Sequence, residues 1–203
     1  MLLGAALGCA PLNRPPVVGE APPRVADGAS ERAYRETLDR FTAHSQVYAT
    51  FDTRVFAAAT FQAPAFREAR ARRWGEFRHA PASDVEATLE RERAEAKQFH
   101  EFFLGAHFND YRWEDLDKPT SIWRVALVLP EGEVTPVEIE RLGRASWELR
   151  AYYPYLDSFW HAYRIRFPVN DASGAPLMPE DVKTVKLRLA SSVGRAEFLC
   201  QAR

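Results

Sequence analysis

The sequence predicts a mostly β protein with additional α-helix: an antiparallel β-sandwich, immunoglobulin-like, with a helical insertion and an N-terminal helix. Beyond position 118, apolar and polar side chains alternate in five short runs, which is typical of half-buried strands. Glycine and proline separate these runs, as expected for turns. Three helical patterns precede them. Of the 203 residues, 46% are apolar, so the chain can bury a core and is not disordered throughout.

The first residues favour export to the cell envelope. An apolar run over residues 2–8 ends at Cys9; it is too short to span a bilayer and is typical of the end of a secretory signal. The segment Ala6-Leu7-Gly8-Cys9 resembles the lipobox of bacterial lipoproteins. This resemblance implies that residues 1–8 are the remnant of a signal, that Cys9 carries lipid, and that the lipid attaches the protein to a membrane.

Residues 9–28 predict a tether between that lipid and a single domain over 29–203. Proline is frequent between positions 10 and 26 and excludes both helix and central strand there. Ala10 follows the cysteine where aspartate indicates inner-membrane retention in some lipoproteins. We therefore expect an outer-membrane protein that faces the periplasm.

The two cysteines leave two other interpretations open. A disulfide between Cys9 and Cys200 would indicate a secreted protein, and a cytosolic protein with an apolar start is the third possibility. With a lipidated Cys9, Cys200 has no partner in the chain and is expected to be a small buried strand residue.

The domain begins with one helix and a strand region. Helical spacing predicts an amphipathic helix over 31–42, with Ser30 as its N-cap. From Val47 to Phe61 the period changes to two, which predicts either one long strand or two strands broken near Asp52.

The helical insertion is predicted at about 65–100. A first helix covers 66–77, and Ser83 and Glu86 form a capping box that starts a second helix, which continues to about His100. The charges of this second helix, from Glu90 to Lys97, are interpreted as a solvated face.

The remaining strands bring the total to about seven, a sandwich count. One strand is expected near 101–108. The five later runs cover residues 123–129, 145–151, 159–167, 185–189 and 196–200.

The sequence carries no strong catalytic motif and indicates no cofactor. Binding to nucleic acid depends mainly on electrostatic attraction to a basic protein surface. The net charge of this chain is -1, so nucleic acid is excluded as a partner class.

Two weaker candidate sites remain. The acidic loop could offer oxygen ligands to calcium, although a plain polar loop is the favoured interpretation; its residues are Asp110, Glu114, Asp115 and Asp117.

The second candidate site is a run of aromatic residues around Pro154. Exposed aromatic rings stack on sugars or anchor protein interfaces. The alternative is that they are core residues partly covered by the insertion. The residues predicted to bind are Tyr152, Tyr155, Trp160, Arg164 and Arg166. The sequence thus predicts a non-catalytic envelope module that binds or assembles with a protein partner. Binding of glycan or cell wall through the same aromatics is one alternative, and an envelope hydrolase is another.

Overall fold

The computed structural model describes residues 28–49, 52–179 and 181–203. Within these ranges the chain is mostly β, with four α-helices and two antiparallel sheets of five and four strands. The sheets are not closed into a barrel, an arrangement compatible with a sandwich. The immunoglobulin-like form of that sandwich stays a prediction. The lipobox, Cys9 and most of the proline-rich tether lie outside the described residues.

The N-terminal helix and the strand region are confirmed, and the break near Asp52 produces a hairpin of two strands. The first three elements are α1 (Gly28–Phe41), β1 (Thr42–Ala49) and β2 (Asp52–Phe61). Ser30 is not the N-cap, because the helix begins at Gly28. Its hydroxyl instead donates to the carboxylate of Glu76 at 3.0 Å.

The helical insertion is also confirmed between β2 and the next strand. Its elements are α2 (Pro64–Arg78), α3 (Ala82–Ala96) and the following β3 (Phe99–Phe108). The prediction of a capping box is wrong, because α3 begins after Pro81 without a side-chain cap. The Ser83 hydroxyl instead donates to Asp84. The second helix ends before His100, since Phe99 already belongs to β3.

Four of the five later runs are strands. The run at 145–151 is instead a short helix, because the Ser146 hydroxyl accepts from the backbone N–H of Leu149 and caps it. Two polar strands escaped prediction. The remaining elements are β4 (Arg124–Leu129), β5 (Gly132–Val134), β6 (Glu138–Arg144), α4 (Trp147–Tyr152), β7 (His161–Pro168), β8 (Thr184–Ala190) and β9 (Arg195–Gln201).

The strand order is β1-β2-β3-β7-β6 in the larger sheet and β5-β4-β8-β9 in the smaller. Residues opposite each other in the register share a face, so the pairings define two faces of the larger sheet. The inner face is mostly apolar and belongs to the same buried cluster as the smaller sheet. Its central residues are Ala57, Ala59, Phe61, Phe102, Leu104, Ile165 and Phe167.

The smaller sheet contributes its own alternating apolar side chains to that cluster. Cys200 in β9 is buried, as predicted, and its thiol lies 3.5 Å from the carbonyl oxygen of Ala59 in the larger sheet. Burial raises the pKa of this thiol to about 12. Cys200 is therefore a packing residue without thiolate character.

Candidate functional site

The outer face of the five-stranded sheet is covered by the helical hairpin α2–α3 and by the segment from α4 to β7. Unlike the inner face, it carries polar groups at its centre, Thr60, Gln62 and Glu101, all of them buried. Arg67 of α2 donates to the backbone oxygen of Gln62 at 2.9 Å, which fixes the hairpin over the sheet. The chain has thus enclosed polar groups that need partners.

The predicted aromatic residues separate into two groups on this face. Tyr155 packs inward: its hydroxyl is 2.7 Å from the Thr60 hydroxyl, and burial raises its pKa well above the ordinary value. Trp160 packs against the same part of the sheet beside Gly105. Tyr152 lines an open space, a cleft described below.

The two predicted arginines of β7 are held by carboxylates. Arg164 pairs with Glu140 on β6 and also lines the cleft. Arg166 donates to Glu101 at 3.0 Å and to Glu138 at 3.1 Å, and it lies in the ion-pair network beneath the hairpin.

The hairpin cleft, as we call it, is a space of about 410 Å³ between α2, α3 and α4, with β3 and β7 at its floor. This volume lies within the range of small-molecule sites. Its walls combine aromatic rings with charged groups that approach from different elements. The residues that matter below are Trp74, Arg91, Glu92, Phe103, Tyr152 and Arg164.

A buried ion-pair network forms one side of the cleft. Glu92 accepts from Arg67 at 2.7 Å and from Arg70 at 2.7 Å. Burial by itself raises the pKa of Glu92, but the two guanidinium groups outweigh it and hold the pKa below its ordinary value. Glu92 is therefore a carboxylate at neutral pH, with a fixed orientation.

The aromatic floor is equally well ordered. The rings of Phe103 and Tyr153 are parallel, with centroids 3.6 Å apart. The Tyr153 hydroxyl lies 3.3 Å from Gln62 and from Arg70, so the ring is fixed at its polar end as well. Burial raises the pKa of Tyr153, and this group stays protonated at neutral pH.

Two arginines of the cleft have unused hydrogen-bonding capacity. The Nε atom of Arg164 is buried and has no hydrogen-bond partner among the described residues. Arg91 donates weakly to Thr88 at 3.4 Å, and within the described part of the chain it has no carboxylate partner. Because Arg91 is exposed, it is the donor that a ligand oxygen could reach.

Three of the four acidic residues of the predicted calcium site have separate partners. Asp110 pairs with Arg112, and Asp115 accepts from Ser121 at 3.0 Å. Asp117 is exposed. Across the ranges that the structure describes, no three His, Cys, Asp or Glu side chains are placed to hold a metal ion.

Glu114, the fourth of these acids, joins the acidic loop to the five-stranded sheet. It pairs with Arg141 at 3.1 Å, and its Oε1 lies 3.2 Å from Nδ1 of His161. Nδ1 of His161 therefore lies within ion-pair distance of a carboxylate, although it makes no hydrogen bond to the described residues. Burial lowers its pKa, although Glu114 opposes the shift.

A second exposed feature lies beside the cleft. Ala145 donates its backbone N–H to the carbonyl oxygen of Trp160 at 2.9 Å, which brings the neighbouring Trp147 and Phe159 to the same margin of the sheet. Trp147 is 61% exposed and Phe159 is 66% exposed. Together with the exposed Leu142 of β6, they form what we call the aromatic edge.

A wider groove of about 850 Å³ runs along the outside of α2 and α3. Its lining comes from these two helices and the turn after them, and most of the lining residues are exposed. The hairpin cleft brings together residues from six elements and is better defined than this groove.

Sequence reasoning missed Arg70, Trp74 and Glu92 as site residues. The charges of α3 were expected on a solvated face, yet Glu92 points to the buried side. A signal for this exists: Glu92 follows Leu89 by three positions and precedes Ala96 by four, so it belongs to the apolar stripe of the helix. A charge within such a stripe predicts a buried partner.

Comparison of the chain with known protein families, with curated proteins and with solved structures finds no match. Among the described residues, no helix combines the length and the apolar character needed to cross a bilayer.

Proposed function

We propose that this chain is a lipid-anchored protein of the bacterial envelope, in the outer membrane and facing the periplasm, and that its domain is a non-catalytic binding or assembly module. A protein partner docks on the aromatic edge. The observation that carries this proposal is the exposure of Trp147 and Phe159 on the two sides of one backbone hydrogen bond. The lipobox-like segment at Cys9 and the proline-rich tether support the anchor.

Large exposed aromatic side chains are the residues that contribute most to protein interfaces, particularly where several lie together. The aromatic edge also adjoins β6, which is the last strand in the order of its sheet. Arg150 lies over the Trp147 ring at 4.1 Å and holds that ring in one orientation. Such a preorganised aromatic anchor reduces the entropy lost on association.

The hydrolase alternative would need a carboxylate and a base at an accessible place. Glu114 and His161 are close enough, but their side chains are only 17% and 9% exposed. The carboxylate of Glu114 is also paired with Arg141. The aromatic edge is open to a partner, so binding is the better-supported function.

The test is crosslinking of the full chain in bacterial cells, with identification of the partner protein. In the double variant Trp147→Ala/Phe159→Ala, we expect the specific crosslinked partner to be lost while the domain remains folded. The matched control is Tyr48→Ala/Tyr111→Ala, since these rings are 63% and 81% exposed at other places on the surface. A partner retained by the first variant, or lost equally in both, contradicts the docking surface.

The anchor is tested separately. Labelling with a palmitate analogue should depend on Cys9, so Cys9→Ala should remove the label. Label that persists in this variant, or absence of label from the well-expressed wild type, contradicts the lipidated form.

A further inference from the structure

We propose that the hairpin cleft is a second binding site, beside the aromatic edge and bordered like it by Leu142, and that it takes a neutral saccharide of one or two rings. Its volume of about 410 Å³ suits a ligand of that size. The cleft lies between α2–α3 on one side and α4 on the other, above the polar face of the five-stranded sheet, so a ligand there contacts the domain on several sides.

The walls provide flat apolar surfaces. Trp74 and Tyr152 line the cleft and are only half-buried, while Phe103 and Tyr153 form a stacked pair at its floor. The C–H groups of a sugar ring form a flat apolar face that packs well against aromatic rings. A ligand with such a face explains why partly exposed rings border a cavity so rich in charge.

The charges around the cleft compensate one another. Beneath the hairpin, three arginines meet four glutamates in one network, which leaves an excess of one negative charge; its members are Arg67, Arg70, Arg166, Glu92, Glu95, Glu101 and Glu138. Arg91, which has no carboxylate partner in the described residues, offsets this excess.

The other charged groups of the cleft are paired one to one. Arg164 is neutralised by Glu140, and Glu148 is neutralised by Arg78 at 2.9 Å. The cleft as a whole therefore attracts neither an anion nor a cation strongly. This balance favours an uncharged ligand over a free phosphate or carboxylate.

The remaining hydrogen-bonding groups match hydroxyl oxygens. Arg91 is exposed and has spare N–H groups, since among the described residues its side chain donates only weakly, to Thr88 at 3.4 Å. Glu92 is held as a carboxylate and can accept from a ligand hydroxyl. Sugar hydroxyls donate and accept at once, so a saccharide can satisfy donors and acceptors that face the same small space.

The experiment is calorimetric titration of the purified full chain with four neutral disaccharides: diacetylchitobiose, cellobiose, maltose and mannobiose. Glucuronate and inorganic phosphate serve as charged probes. We expect at least one neutral disaccharide to bind, and to bind more tightly than either charged probe. Absence of binding by all four, or tighter binding of a charged probe, overturns the proposal.

Variants locate the site. Trp74→Ala should weaken the binding of the disaccharide by about tenfold or more, because it removes the ring against which the sugar packs. Arg91→Ala, on the exposed side of α3, should weaken it about three- to tenfold and keeps the test valid if the tryptophan variant fails to fold. Trp147→Ala, in the aromatic edge, is the control and should not change the affinity. If neither cleft variant weakens disaccharide binding, the assignment of the saccharide site to the cleft is wrong. Partner crosslinking by the same two variants tests the aromatic edge alone.

Discussion

The two faces of the five-stranded sheet differ in the chemistry that holds their coverings in place. The inner face packs against the smaller sheet through apolar side chains, so burial alone specifies the contact. The outer face packs under helices through aromatic contacts and, in addition, through ion pairs and hydrogen bonds such as those of Arg67 with Gln62 and Glu92. The same strands thus support a core on one side and a polar layer on the other.

This difference indicates where the fold can accommodate a binding site. An apolar interface gains stability from complete packing and leaves no room for a ligand. A polar layer must satisfy each donor and acceptor, and at its margin some remain available, as the exposed Arg91 shows. The cleft and the aromatic edge both border the outer face.

The largest expected effect is in the core that the inner face shares with the smaller sheet. Phe198 of β9 is completely buried in the common cluster. Phe198→Ala should lower the free energy of unfolding by about 3–5 kcal/mol, because it removes buried apolar area and leaves a cavity. Urea denaturation measures this. A loss below about 1 kcal/mol would mean that the two sheets are not held by tight packing.

The next effect is on the outer face and has a different cause. Arg67 is 3% exposed and contacts three glutamates. Arg67→Met keeps the volume but leaves buried carboxylates without their partner, and should lower the free energy of unfolding by about 3 kcal/mol. The control Arg72→Ala breaks an exposed pair with Glu68 and should change it by about 0.3–0.5 kcal/mol. Equal effects of the two variants would show that the buried network does not stabilise the hairpin.

The inner face was the easier one to predict from the sequence. Apolar alternation identifies β2, β4, β7, β8 and β9 because a half-buried strand repeats every two residues. The pattern fails where burial is weak. β6 runs from Glu138 to Arg144 with few buried side chains. The six residues of α4 are too few to distinguish the strand period of two from the helical period of about 3.6, so their sequence also fits a strand.

The outer face escaped prediction because its residues interact across elements distant in the chain. Nothing near Glu92 in the sequence shows that Arg67 and Arg70 will meet it, and nothing near Trp160 shows that Gly105 will lie beneath it. Composition and spacing located the aromatic segment. Which rings are covered depends on the helices placed above them, and this placement is a tertiary property.

Gly105 offers a smaller test, at the place where the outer face is most tightly covered. A Cβ added there would lie 2.2 Å from the side chain of Leu156 and 3.2 Å from that of Trp160. Gly105→Ala should therefore lower the free energy of unfolding by about 1–3 kcal/mol, since Leu156 must shift beneath its neighbours. Crosslinking through the aromatic edge should weaken too, because Phe159 adjoins the displaced Trp160. An unchanged denaturation midpoint would mean that this segment covers the strand loosely.

The smallest effect distinguishes the two faces by pH. The pKa of Glu92 is lowered in the folded state, so its contribution to stability is present above its ordinary value of 4.5 and is lost as the pH falls through the lower, folded value. The Glu92→Gln variant should therefore lose less stability on acidification than the wild type. The measurement is the urea denaturation midpoint of both proteins at a series of pH values from neutral downwards. Phe198→Leu changes only the inner face and should keep the wild-type pH dependence despite its lower stability. If the two variants respond to acid alike, the network around Glu92 is not what makes the outer face sensitive to pH, and the contrast between the faces would rest on geometry alone.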